Sequence, residues 1–332
     1  MPRAWVIHGY QGYRGLSLEE VPDEVPGSGE IRLRVEAFAL NWGDMDLMRD
    51  RYSFSFSAFP ACIGMEAAGV VDAVGPGVTG IELGTRMCTL PYFYDRRGAS
   101  TEQLIIDHRY VTPAPEGLSA VESAAVWMMY MTAYFPLVEI MRVLPGKTLL
   151  VTAGTGTAGI AALEIGRHFG AKMIATSRFA RNRRFLEAVG ADHVFVPGTC
   201  DLAEFLKSAS DGRGIDAAFD PVGAGMIGQY APALAKDARI FFYGTLDAEF
   251  PTLPIVDMFQ ANAVFHPYSL FNYVENLETQ ARGKAFVYDA LKRGLFAPRI
   301  DRTYPMEGYR EAWDYVSAPR ATHGKVVVET GA

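Results

Sequence analysis

KTLLVTAGTGTAGIAALEIGRHF, residues 147–169, decides the fold: an apolar strand runs straight into Gly154-x-Gly156-x-x-Gly159 and then a helix. That order is what a dinucleotide pyrophosphate needs. Gly154 is expected to permit the sharp turn out of the strand, Gly156 to let backbone approach the phosphates, and Gly159 to let the helix pack tightly on the sheet. The helix N-terminus then offers free N–H groups to the anion. Gly154, Thr155, Gly156, Thr157, Ala158 and Gly159 are therefore the expected phosphate-binding residues.

A glycine loop alone is weak, so its surroundings have to decide. Lys172–Thr176 (KMIAT) reads as a second strand, Arg181–Val189 as a helix, Ala191–Val196 (ADHVFV) as a strand and Asp201–Ser208 as a helix. Ile215–Asp220 (IDAAFD) and Arg239–Gly244 (RIFFYG) repeat the apolar run, and Tyr243 and Gly244 at its end are expected beside the cofactor. Strands alternating with helices imply a parallel sheet covered on both faces.

At 332 residues the chain exceeds the size at which one core keeps growing, and its 49% apolar residues suffice to fill two. No apolar run of about eighteen residues occurs, and MPRAWVIHGY lacks the apolar stretch of a signal peptide, so a cytoplasmic protein without a membrane partner is expected. Cys62, Cys88 and Cys200 are odd in number and far apart, which argues against a disulfide framework. A net charge of −7 disfavours nucleic acid as a partner.

The first third is organised differently. Ile31–Ala39, Ala67–Val74 and Thr85–Leu90 are short strands punctuated by glycine and proline, as in Gly75-Pro76-Gly77, and suggest an antiparallel, barrel-like domain. A long helical region, Ala120–Val143, follows, with Pro136 expected to interrupt or kink it. After Val264 come a helix near Arg282–Arg293 and a last strand, Lys325–Glu329.

Taken together, these residues resemble the medium-chain dehydrogenase/reductases, and within them the zinc-free, quinone oxidoreductase-like branch. Leu40-Asn41-Trp42-Gly43-Asp44 is similar to that branch's L-N-x-x-D, and Gly64-Met65-Glu66-Ala67-Ala68-Gly69-Val70-Val71 to its G-x-E-x-x-G-V-V. Met131-Thr132-Ala133-Tyr134 is similar to M-T-A-Y, and Asp220-Pro221-Val222-Gly223 to D-x-V-G. The resemblance implies a GroES-like catalytic domain built from both chain ends, 1–121 and 268–332, around a Rossmann domain at 122–267. It also implies a homodimer.

Zinc-dependent relatives carry Cys at the position of Asn41, His at that of Met65 and a third ligand near Met128. Asparagine and methionine are poor zinc ligands, and the six histidines show no metal-binding spacing. No metal is expected, zinc alcohol dehydrogenase chemistry is disfavoured, and Glu66, near the metal in those relatives, is expected to survive as a structural hydrogen-bonding group.

At the end of the second strand an NAD-specific loop places an acid; here stands Thr176-Ser177-Arg178. Ser177 can donate to a 2′-phosphate and either Arg178 or Arg181 can pair with it, so NADPH is the expected cofactor. Without a metal, hydride goes to an electrophilic carbon and a proton comes from elsewhere, which suits activated alkenes (enones, enoyl groups) and quinones, small-molecule substrates all. Tyr52 stands where enoyl-reducing relatives have a tyrosine, and its phenol could give that proton. The alternative for Tyr52 is a pocket lining with Phe54, Phe56 and Phe59, in a setting that reads equally as a core strand. Asn41 and Thr132 are expected to orient the nicotinamide or the substrate carbonyl. A non-catalytic NADPH-binding protein, or an enoyl reductase for carrier-bound acyl chains, would fit the same residues. A hydrolase reading fails for want of a G-x-S-x-G elbow.

Overall fold

The computed structural model describes residues 1–198, 200–247, 249, 251–319 and 322–331. Thr199, Ala248 and Phe250, within the expected span 122–267, and Arg320, Ala321 and Ala332, within 268–332, lie outside the described residues. The chain divides into two units, Met1–Met128 with Val274–Ala332, and Met129–Tyr273.

The second unit holds a six-stranded parallel sheet. Its spatial order is His193–Phe195, Lys172–Thr176, Thr148–Val151, Ile215–Asp220, Leu234–Phe242, Val264–Pro267. Numbered along the chain this is 3-2-1-4-5-6, the doubly wound dinucleotide-binding order. Thr148–Val151 is buried at all four positions, as a central parallel strand with both faces covered must be. One layer of the core joins Leu150, Ile174 and Ile240 of the sheet to Leu202 and Leu206 of the helix Leu202–Ala209, with Ile227 and Tyr230. Asp201 caps that helix by accepting from the Glu204 N–H at 3.0 Å.

The structure corrects several expected elements here. The strand expected at 239–244 runs instead over Leu234–Phe242, so Tyr243 and Gly244 lie just beyond it, in the loop that follows. Val264–Pro267 was not expected as a strand at all, yet it pairs with Arg239–Phe242 and forms the sheet's edge. Edge position is what tolerates the proline.

The first unit contains two sheets. Arg3–Ile7 pairs with Leu16–Glu20 and Ala61–Cys62 in a three-stranded antiparallel sheet. The larger sheet is centred on Glu30–Ala39, which pairs antiparallel with Ala67–Val74, Gln103–Asp107 and the C-terminal Lys325–Glu329. It is mixed rather than wholly antiparallel, because Ile300–Pro305 runs parallel to Lys325–Glu329 through the helix Tyr309–Ser317 that joins them. Both chain ends thus supply one sheet.

The single helical region expected over 120–143 is broken into three pieces. Ala120–Ser123 starts on a Ser119/Glu122 capping box, and Trp127–Tyr134 begins anew where the Glu66 carboxylate accepts the Met128 N–H at 2.8 Å. Pro136 has no N–H to give the Thr132 carbonyl, and the chain widens into a π-turn, Phe135–Ile140, closed by the Met141 N–H on the Pro136 carbonyl at 2.9 Å. Residues 52–59 form no strand.

Candidate functional site

In the second unit the loop after Thr148–Val151 has the expected shape with one change of role. The left-handed residue at the turn is Ala153, at φ 48°, and not Gly154. Gly154 is required for space instead: a methyl there would lie 3.0 Å from the Ala175 side chain and 3.2 Å from Leu186. A methyl on Gly159 would stand 3.0 Å from Gly154 and from the Ala153 carbonyl, so the glycine lets the helix close against the loop itself. Gly156 caps the helix Thr157–His168, whose first-turn N–H groups, on Thr157, Ala158 and Gly159, have no acceptor one turn back. Thr155 lies half-buried beside them.

At the end of Lys172–Thr176 the Ser177 side chain is buried, and its hydroxyl is already engaged. It accepts from Asn182 Nδ2 at 2.9 Å and bonds the Phe179 backbone at 3.3 Å. Ser177 therefore shapes the loop, while the exposed groups are Arg178 and Arg181, whose guanidinium carbons lie 5.7 and 4.1 Å from the centre of the Phe179 ring. Across the sheet, Tyr243 stacks on Phe219 with centroids 4.0 Å apart, and its N–H donates to the Asp220 carbonyl at 3.1 Å. Gly244 follows, tight against Pro221. Asp220 accepts from Val222 N–H at 2.8 Å, Gly223 N–H at 3.2 Å, Tyr230 at 3.0 Å and Thr152, tying together the ends of the two central strands. Thr132, buried on Trp127–Tyr134, belongs to this unit.

In the first unit Asn41 precedes a short helix, Trp42–Leu47, and its N–H donates to the Asp44 carboxylate at 3.0 Å. Tyr52 returns onto that helix. A methyl on Gly43 would come within 3.1 Å of the Tyr52 hydroxyl, so the glycine makes the room for it. Burial, with the charges of Asp44 and Asp46, holds the phenol above its ordinary pKa and hence protonated. Phe54 lies 6.1 Å from the Tyr52 ring and stacks on Phe93 at 4.4 Å, an aromatic flank to the same surface. Asp44 is fully buried, and burial pushes its carboxyl up to about 7 against the lowering effect of the Asn41 N–H and the Lys325 charge.

Glu66 lies at the centre of this arrangement. Oε1 accepts the Met128 N–H, and Oε2 accepts Asn41 Nδ2 at 3.3 Å and Lys325 Nζ at 2.7 Å. Lys325 also donates to Asn41 Oδ1. The expected structural role of Glu66 is thus a set of named bonds, and Lys325 is the member that sequence reasoning missed. Its only signal was a lysine opening the apolar run VVV. Met65 and Met128, at the other two replaced ligand positions, are buried. Among the described residues, no group of three or more His, Cys, Asp or Glu side chains is placed to hold a metal ion.

Comparison with known proteins fits this geometry. Residues 27–116 match the alcohol dehydrogenase GroES-like domain and residues 158–278 the domain described as zinc-binding dehydrogenase; the latter span contains none of positions 41, 65 and 128. The chain is 28% identical to a 2-haloacrylate reductase from a Burkholderia species, over 99% of both proteins. A mycobacterial protein solved with NADPH is 25% identical with a TM-score of 0.90, over 99% of this chain and all of that one. A quinone oxidoreductase from Pseudomonas syringae shares the fold at a TM-score of 0.92 and 22% identity, with the same coverage. Two matched domains in the right order, a full-length relative, and asparagine and methionine where zinc ligands would stand all agree: the chain belongs to the medium-chain dehydrogenase/reductase superfamily, in its zinc-free, quinone oxidoreductase-like branch.

Proposed function

We propose that this protein is a zinc-independent, NADPH-dependent reductase that delivers hydride to an activated alkene or a quinone. The observation that carries the reading is the buried Lys325–Glu66–Asn41 network, in which the asparagine at a replaced ligand position has its polar atoms tied to a lysine and a glutamate instead of a metal. The 2-haloacrylate reductase supports it, since a haloacrylate is an alkene conjugated to a carboxyl group.

The cofactor fits the residues present. The first-turn N–H groups of Thr157–His168 suit a pyrophosphate. Arg178 and Arg181 are exposed at the end of the second strand with no acid between them, which suits a 2′-phosphate. When bound, the nicotinamide supplies the hydride. Tyr52 stays a neutral phenol and serves as hydrogen-bond and proton donor to the enolate that hydride addition produces at a conjugated carbonyl. A quinone, whose reduced oxygens take protons from water, depends on it less.

A homodimer is part of the same proposal. Val264–Pro267 leaves one side of the parallel sheet open, and beside it Val256, Phe259 and Val264 are 68, 79 and 46% exposed, an apolar edge suited to a second copy of itself. Cys62, Cys88 and Cys200 are all free thiols, consistent with a reducing, cytoplasmic setting.

The test is NADPH consumption across quinones, short enones, enoyl thioesters and simple aldehydes, with and without added zinc. Turnover of enones or quinones in metal-free protein is expected. Turnover confined to aldehydes and dependent on zinc would overturn the reading, and a monomer by light scattering at micromolar concentration would overturn the dimer.

A further inference from the structure

Lys325 and Glu66 form an ion pair whose side chains are 0 and 1% exposed. Taking two charges out of water costs several kcal/mol per ion, and apolar residues of similar volume commonly serve stability as well or better. The pair therefore needs a reason other than stability, and its neighbour supplies one. The ammonium donates to Asn41 Oδ1, while Asn41 Nδ2 donates to Glu66 Oε2 at 3.3 Å and to the Ala39 carbonyl at 3.4 Å. The amide is gripped at both ends by groups of opposite charge. Turning it over would set N–H against ammonium and C=O against carboxylate.

We propose that Lys325 is a positioning residue of the reduction, acting through Asn41. With both amide hydrogens engaged by Glu66 and Ala39, the lysine fixes the amide so that Oδ1 faces the ammonium and, in the capping box of the helix Trp42–Leu47, the Asp44 N–H. The inference rests on the reductase reading and on Asn41 belonging to its site. The fold brings the lysine to this position, since Lys325–Glu329 pairs beside Glu30–Ala39 and the Leu40 N–H donates to the Val326 carbonyl at 3.0 Å. Lys325 and Asn41 thus lie at adjoining strand ends.

The test uses the full chain in four forms: wild type, Asn41→Ala, the charge-neutral pair Lys325→Met with Glu66→Gln, and the triple variant. Glutamine at 66 keeps an acceptor for the Met128 N–H, and the paired change leaves no lone buried charge. NADPH affinity and melting temperature check that each variant folds. With 2-cyclohexenone and a benzoquinone as acceptors, releasing the amide is expected to lower kcat about 10- to 100-fold, the scale of a misplaced group. If the lysine acts through Asn41, the triple variant is no slower than Asn41→Ala, whereas additive losses would overturn the proposal. The second readout needs no turnover: the Asn41 side-chain amide in nitrogen-15 spectra should exchange slowly with water in the wild type and rapidly in the paired variant. Rapid exchange already in the wild type would overturn the proposal. A wild type that binds NADPH, reduces none of the acceptors and still shows the slow amide would sink the reductase reading while upholding the grip on Asn41.

Discussion

Asp44 makes the stability of this protein depend on pH in a direction opposite to that of most carboxylates. Its side chain is fully buried, and burial pushes the carboxyl from an ordinary 3.8 up to about 7 in the folded chain. A carboxyl whose pKa is raised on folding binds its proton more tightly in the native state. Its contribution is therefore complete below pH ~4 and is lost as pH rises through about 7. The rise from 3.8 to about 7 corresponds to about 4 kcal/mol across that window as an upper figure. Asp44→Asn keeps the shape and an acceptor for the Asn41 N–H but removes the ionisation. Urea denaturation at pH 5 and pH 8 should show wild type losing stability between the two and the variant losing much less. The variant should already exceed wild type somewhat at pH 5, where the unfolded carboxyl has ionised, and exceed it further at pH 8. A variant weaker at pH 8 than at pH 5, relative to wild type, would refute the reasoning, because the charged carboxylate would then be the stabilising form.

Tyr52→Phe keeps the ring against Gly43 and removes only the hydroxyl, so enone reduction should fall about 10²- to 10⁴-fold with NADPH affinity intact and quinone reduction less affected. Because the phenol is held above its ordinary pKa, the wild-type rate profile should show no alkaline fall from Tyr52 below pH ~10. Arg178→Ala should weaken NADPH binding about tenfold and leave NADH nearly unchanged; equal losses in a titration of both cofactors would assign the arginine another role. Ala153→Gly removes a left-handed non-glycine residue worth about 1–2 kcal/mol of strain at an entropic cost of about 0.5–1, so the urea midpoint should hold or rise. A loss above about 1 kcal/mol would show that the alanine methyl packs.

The parallel sheet was legible because its signals are local. Lys172–Thr176 and Ile215–Asp220 begin and end where their apolar runs do, as Ala67–Val74 and Lys325–Glu329 do in the mixed sheet. Val264–Pro267 was not legible, since a four-residue edge strand containing histidine and proline carries no periodic pattern of its own. It becomes a strand by pairing with Arg239–Phe242. Ahead of Pro136, the helical region 120–143 misled for the opposite reason: Ala124–Met131 is unbroken apolar, and what divides the chain there is a carboxylate from residue 66 taking one N–H. A helix start fixed by a side chain 62 residues away has no local signature.

The same contrast divides the candidate site. The glycine loop, the two arginines and Asn41 announce themselves by type and spacing, because binding a phosphate or replacing a metal ligand constrains the residue at one position. Lys325 does not, because lysine at the start of a strand is ordinarily a solvated residue and its partner Asn41 lies 284 positions earlier. Only the pairing of the last strand with the first long one turns it into a buried charge. The cost of that burial is what makes the lysine informative. A lysine on the surface can be there for many reasons, whereas one sealed against Glu66 and Asn41 persists against a desolvation penalty that an apolar residue would avoid, so a functional demand on Asn41 accounts for it better than stability does.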